Sequence, residues 1–496
     1  MREVEQCGAH HAHVRGTGGR RAEAHADGVV GGVRGELSHV HQGSRRTSGD
    51  RPSLGAWSNP LAVTESGAVR GTVAHGIAAF RGIPYAAPPI GPGRFAPPRP
   101  PEPWSLLDGA RPGPSAPQGP SRLEAVMGRR APDWDEAGCL TLNVWAPDGD
   151  TTGVPVLLWF HGGGFTSGSG GWDWYDGARL AAAGGIVVVT ANYRLGPLGY
   201  ARLGLPDGDD LGVRDQACAL AWVARNIAAF GGDPARITVG GQSAGAYSAL
   251  HLALSPETGS LVHGVLAQSG PFGLPPQTPD EAATRSDRLR VLAGADDAAA
   301  LRALPAERLL ASYGALAAEI SEPGALAPPL YPVLGGFGTE RPWQERLAAL
   351  EGKPLLIGTV RDEMTAFVAF DPRFARDPEH ERALSEQVFG AGSREIADRH
   401  AEAGNPVYAY RFDRAPADDP SGLGATHCAE LPFVFDALDA YRDAPMLGPV
   451  DGVDRALARG MCRAVAGFVA TGRPDDAAWT AYRAGEPETV RVIDRA

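Results

Sequence analysis

Between Arg236 and Leu254 the chain passes from a short β-rich run, Arg236-Ile237-Thr238-Val239-Gly240, through Gly241-Gln242-Ser243-Ala244-Gly245 into an Ala- and Leu-rich helical stretch. A strand that becomes a helix at one residue lifts that residue clear of the sheet edge. Any Cβ two positions before or after it would collide with the neighbouring strand or helix, which is why glycine is needed on both sides. The pentapeptide alone is weak evidence, because a chain with 66 glycines in 496 residues yields about 0.4 such matches by chance. The strand before it and the helix after it give Ser243 its weight as a candidate nucleophile.

From about residue 59 onward, short β-rich runs alternate with helical ones, the pattern of an α/β sheet. Val154–Phe160 and Gly185–Asn192 are continuous apolar runs, as expected of strands buried on both faces. Ala217, Leu220, Val223 and Ile227 recur at helical spacing ahead of Gly231, predicting an amphipathic helix that stops there and feeds the strand Ile237–Gly240. Residues 275–350 alternate Pro with Ala/Leu-rich helical stretches and are expected to form a cap over the sheet. Residues 1–58 lack hydrophobic periodicity and hold six of the 13 histidines, so they are expected to be a tail or an overlong translation start, with residues 59–496 as the catalytic domain.

The net charge is −12, and residues 59–496 alone carry 38 basic and 52 acidic side chains, which disfavours nucleic acid and anionic membranes as partners. The five cysteines show no CxxC or Cys/His metal spacing, and neither a metal nor an organic cofactor is expected. No apolar leader and no run of ~18 apolar residues is present, which predicts a cytoplasmic location and no membrane span. A monomer is the default expectation.

A second element is independent of the serine. The strand Val154–Phe160 runs straight into His161-Gly162-Gly163-Gly164-Phe165, where consecutive glycines let backbone N–H groups turn toward one point. A developing oxyanion requires that arrangement, so Gly163, Gly164 and Ala244 are the expected donors. Five histidines follow Ser243. His251 sits on the helix leaving the turn, His263 lies in or beside the next strand, and His380 and His400 fall in charged, helix-like surface segments. His427 remains, in a loop after the strand Val407–Phe412, where a general base can reach the serine. The acid is expected at the end of Pro354–Val360, where Asp362 and Glu363 are adjacent; their side chains point to opposite sides, and spacing does not choose between them.

These residues resemble the type B carboxylesterases of the α/β-hydrolase superfamily, in a pattern similar to bacterial p-nitrobenzyl esterases. The likeness extends over about residues 60–490. It includes Phe80-Arg81-Gly82-Ile83-Pro84-Tyr85-Ala86, Gly138-Cys139-Leu140-Thr141-Leu142-Asn143-Val144-Trp145, Phe230-Gly231-Gly232, Asn192-Tyr193-Arg194, Gln268-Ser269-Gly270 and Glu430-Leu431-Pro432-Phe433. The resemblance implies an α/β-hydrolase fold, with a central, mostly parallel twisted sheet flanked by helices and helical cap insertions. It implies hydrolysis of small-molecule esters through an acyl-enzyme. It also implies Glu363 as the acid, because the family's glutamate is the second residue of Asp-Glu-Gly, here Asp362-Glu363-Met364. The family's secreted members pair the cysteine at Cys139 with one just before Pro-Gln; here Ala116 holds that position. Amides, carbamates, lactones and thioesters are alternative substrates for the same triad. Trp172, Trp174 and Tyr175 after the glycine loop, and Phe433 and Phe435 after the base, are candidates to line the pocket, with core packing as the alternative.

Overall fold

The computed structural model describes residues 59–495 except 132, 150 and 323. The reading of residues 1–58 lies outside the described residues. In chain order the strands are β1 (Leu61–Thr64), β2 (Gly67–Arg70), β3 (Thr72–Ala74), β4 (Ile77–Pro84), β5 (Leu106–Asp108), β6 (Thr141–Pro147), β7 (Val154–Phe160), β8 (Val187–Ala191), β9 (Gly232–Gln242), β10 (Gly264–Gln268), β11 (Leu355–Val360), β12 (Val407–Phe412) and β13 (Arg491–Ile493). Strands β1, β2 and β5 make a small separate sheet. The other ten form one sheet in the order β13-β12-β11-β10-β9-β7-β8-β6-β4-β3. All neighbours from β13 to β8 are parallel, whereas β8, β6, β4 and β3 pair antiparallel at the other end.

The continuous apolar runs are explained by what covers them. Along β7, Val156, Leu158 and Phe160 enter one hydrophobic core, with Leu220 and Trp222 of the helix Leu211–Asn226 and Leu250 of the helix Ala244–Leu254. The alternate residues Leu157 and Trp159 enter a second core on the opposite face, with Leu180 and, from the helix Gly452–Thr471, Val465. Both faces of a parallel sheet are thus covered, and every position of the strand must be apolar. The helix Leu211–Asn226 continues as a short 3₁₀ turn, Ile227–Phe230, and ends where Gly231 adopts φ +84°, as the sequence predicts.

Residues 275–350 contain the helices Pro279–Ala293, Ala298–Ala303 and Ala306–Ile320. A capping box between Thr278 and Glu281 starts the first, and Asp297 caps the second.

The strand registers fix where the site lies. Phe160 pairs with Gly241, Gln242 with Gln268, and Val360 with Phe412. The loops that leave β7, β9, β11 and β12 therefore all emerge from the same, C-terminal edge of the sheet, the edge at which ligands bind in open α/β folds. Among the described residues no helix is long and apolar enough to cross a membrane.

Candidate active site

Ser243 stands between β9 and the helix Ala244–Leu254 with φ +57° and ψ −125°, a conformation that L residues rarely adopt. Its amide donates to the Gln268 carbonyl at 2.8 Å, which ties the turn to β10. The flanking glycines are required by contact. A Cβ on Gly241 would lie 2.4 Å from the Gly245 carbonyl carbon, and one on Gly245 would lie 2.0 Å from the Phe160 oxygen. The helix leaving the turn thus abuts the last residue of β7, the strand that delivers the glycine loop.

In that loop Gly163 and Gly164 take φ +112° and +60°. The Gly163 carbonyl accepts from the amides of Thr166 and Ser167, each at 3.1 Å, which curls the loop and turns the N–H groups outward. Neither Gly163 nor Gly164 donates a hydrogen bond among the described residues, and Ala244, first in its helix, has no intrahelical acceptor. All three line one narrow cavity with Ser243. A two-way clamp holds the loop: Gln118 Nε2 donates to the Gly168 carbonyl at 2.8 Å and Gln118 Oε1 accepts from the Gly168 amide at 2.7 Å. His161 stacks on Tyr193 with ring centroids 4.5 Å apart, and burial pushes its pKa down to about 4, so it is a neutral support of the loop at neutral pH.

His427 and Glu363 meet in the structure. Nδ1 of His427 lies 2.5 Å from Glu363 Oε2, both side chains are fully buried, and the Val360 amide donates to Glu363 Oε1 at 3.0 Å. Nε2 lies 3.2 Å from Gln242 Nε2. With the amide oriented in this way, Nδ1 carries the proton toward Glu363 and Nε2 presents its lone pair. The imidazole packs against both Phe367 and Phe389, at centroid distances of 5.2 and 4.9 Å, and both rings also line the cavity. Asp362 turns the other way: its carboxylate accepts from the Ala425 amide at 2.8 Å and from Arg361 Nε at 3.0 Å, bracing the loop that carries His427. Met364 is buried with Val368 and Phe389 and leaves Glu363 within reach of the imidazole.

Two expectations are corrected. Trp172, Trp174, Tyr175, Phe433 and Phe435 do not line the cavity at Ser243. Trp174, Tyr175, Phe433 and Phe435 are buried in the same core as Leu157 and Trp159, and Trp172 packs against that core. The reason is the path of the chain. The Gly170 amide donates to Asn192 Oδ1 at 2.8 Å and its carbonyl accepts from Thr190 Oγ1 at 2.6 Å, which pins the segment to the end of β8 and carries it past the site. His400, expected on the surface, is buried and bonded through Nε2 to the Lys353 carbonyl at 2.8 Å.

Several residues of the site carry no local signal in the sequence. Phe367 and Phe389 reach it only through contacts between distant segments, whereas the Pro-Gln pair marks Gln118 and the position before Ser243 marks Gln242. Glu430 is a further case. It is fully buried, Oε1 accepts from Ser269 Oγ at 3.1 Å, and Oε2 has no partner among the described residues. Burial, and after it the charge of Glu363, push its carboxyl up to about 7. An acid whose folded pKa exceeds its unfolded value of 4.5 contributes stability that is complete below pH 4.5 and is lost as pH rises through about 7. Glu430→Gln is therefore expected to flatten the fall in stability between pH 5 and 8, by up to about 3 kcal/mol. Denaturation midpoints of both proteins at the two pH values measure this, and parallel profiles would refute it.

The carboxylesterase family model matches residues 58–382 and 374–495. The chain is 36% identical over 478 residues to phenmedipham hydrolase of Pseudarthrobacter oxydans, covering 88% of this chain and 95% of that protein. It is 35% identical over 471 residues to para-nitrobenzyl esterase of Bacillus subtilis, covering 88% and 94%. A solved structure of a PNB esterase matches with a TM-score of 0.78 at 33% identity, covering 86% of this chain and 94% of that one.

Proposed function

The chain belongs to the carboxylesterase family and is a carboxylic-ester hydrolase of the α/β-hydrolase type, and on that premise we propose that Ser243, His427 and Glu363 are its triad. Residues 59–496 form the catalytic unit. Ser243 Oγ displaces the Gln242 amide at His427 Nε2, passes its proton there and attacks the ester carbonyl; Glu363 holds the Nδ1 tautomer and stabilises the imidazolium. The amides of Gly163, Gly164 and Ala244 receive the oxyanion. His427 then protonates the leaving alcohol and activates water to release the acid from the acyl-enzyme. The observation that carries this reading is the buried His427–Glu363 pair at the mouth of a turn whose serine shares a cavity with three N–H groups aimed at no protein acceptor.

The cavity walls include Leu274, Leu326, Phe367 and Phe389, which favours a small to medium apolar acyl or alcohol group. A fluorophosphonate probe is expected to add to Ser243 and to abolish turnover of 4-nitrophenyl butyrate in parallel, read by peptide mass and by released nitrophenol. Turnover of the ester by an enzyme that stays unlabelled at Ser243 would overturn the assignment.

A further inference from the structure

One side chain in the cavity has no part in the reaction as derived. Arg122 is the sole charged residue among those that line the cavity beside Ser243. Its Nη2 donates to the Leu326 carbonyl at 2.9 Å, and its Cζ stands 5.9 Å from the centre of the Phe367 ring. The same nitrogen would lie 3.4 Å from a Cβ placed on Gly164, so the positive charge adjoins the loop that offers the oxyanion donors. A single carbonyl occupies one of the five N–H donors of a guanidinium and none of its charge.

No carboxylate pairs with Arg122 among the described residues. Arg122 is exposed at the edge of the cavity, unlike the buried Arg194 and Arg414, whose charges are matched by Asp215 and Asp454, so its charge is open to a ligand entering there. Were Arg122 only a tie for the Leu326 loop, an uncharged donor would serve. A guanidinium beside the apolar walls Leu274, Leu326, Phe367 and Phe389 can instead receive an anion, which it grips through two parallel N–H bonds.

We propose that Arg122 selects substrates that bear a carboxylate close to the scissile ester: half-esters of dicarboxylic acids, or esters of carboxylate-bearing alcohols. The carboxylate docks on the guanidinium while the ester carbonyl lies against Gly163 and Gly164. Hydrolysis itself is unchanged, with water adding across the acyl bond to give the acid and the alcohol. The inference rests on Ser243 being the nucleophile.

Two substrate pairs separate the two sources of the carboxylate. On the acyl side, mono-4-nitrophenyl adipate is compared with 4-nitrophenyl hexanoate; on the alcohol side, 4-acetoxybenzoate is compared with 4-acetoxybenzamide. In the wild-type enzyme the charged member of at least one pair is expected to show the higher kcat/KM. Arg122→Met is expected to lower the charged-to-neutral ratio of that pair by about 10-fold or more, mainly through KM, and Arg122→Lys to retain part of it. A ratio unchanged by Arg122→Met, or a preference for the neutral member of both pairs, overturns the proposal and leaves the triad standing. An enzyme that turns over no ester and takes up no fluorophosphonate overturns both.

Discussion

Ser243→Ala is expected to lower kcat/KM for 4-nitrophenyl butyrate by at least ~10³-fold with no loss of folded protein. Only Oγ is removed. The strained backbone of the turn is held by the Ser243 amide on Gln268 and by the packing of Gly241 and Gly245, none of which involves the hydroxyl. The amides of Gly163, Gly164 and Ala244 survive, so a residual rate above that of water is also expected. Steady-state kinetics with a denaturation midpoint measured on the same preparation test this. A variant that keeps more than about a tenth of wild-type turnover would rule out Ser243 as the nucleophile.

The second large effect is on stability. Arg194 and Asp215 are almost completely buried, with Asp215 Oδ2 accepting from the Arg194 amide at 3.0 Å and from Nε at 2.7 Å, and Oδ1 accepting from Nη2 at 2.6 Å. Asp215→Ala leaves a guanidinium inside the protein with the Ala96 carbonyl, 2.7 Å from Nη1, as its remaining partner. Breaking a buried pair in this way costs about 3–5 kcal/mol, because the cost is that of an uncompensated charge. The proposed site is affected as well: two residues beyond Arg194, the Gly196 amide donates to the Phe165 carbonyl at 2.7 Å, which anchors the end of the glycine loop. Urea denaturation of the variant measures the loss, and a change below about 1 kcal/mol would show that the pair is not the support described.

The parts of the site that local chemistry dictates were legible in the sequence. A glycine on each side of Ser243, a glycine run after an apolar strand and a histidine in a strand-end loop each follow from what one short segment must do. Val154–Phe160 and Val407–Phe412 are strands with those bounds; in the first, burial on both faces leaves no polar position to blur them, and in the second only Arg411 is exposed. Glu363 over Asp362 was not legible from spacing, because the choice depends on which side of a strand end faces His427, and that required family resemblance. The aromatic residues were misplaced for a related reason. Trp174 is near the site in sequence, but Asn192 and Thr190 hold Gly170 and draw the chain along β8, whereas Phe367 and Phe389 reach His427 from segments that carry no motif. Arg122 carries no local signal in the sequence, and only its place beside Ser243 in the cavity singles it out.

The contact between Gly245 and the Phe160 carbonyl has a further consequence. The proposed nucleophile and oxyanion donors meet at this one contact at the end of β7, whereas Arg122 and Leu326 come from two segments outside it, and unlike Phe367 and Phe389 they make no ring contact with His427. Changes in those outer segments can redirect the enzyme to new esters without altering the geometry in which bonds are broken. Substrate range and chemical competence are therefore free to diverge independently in this fold, and variants that gain a new substrate should be sought in the outer segments.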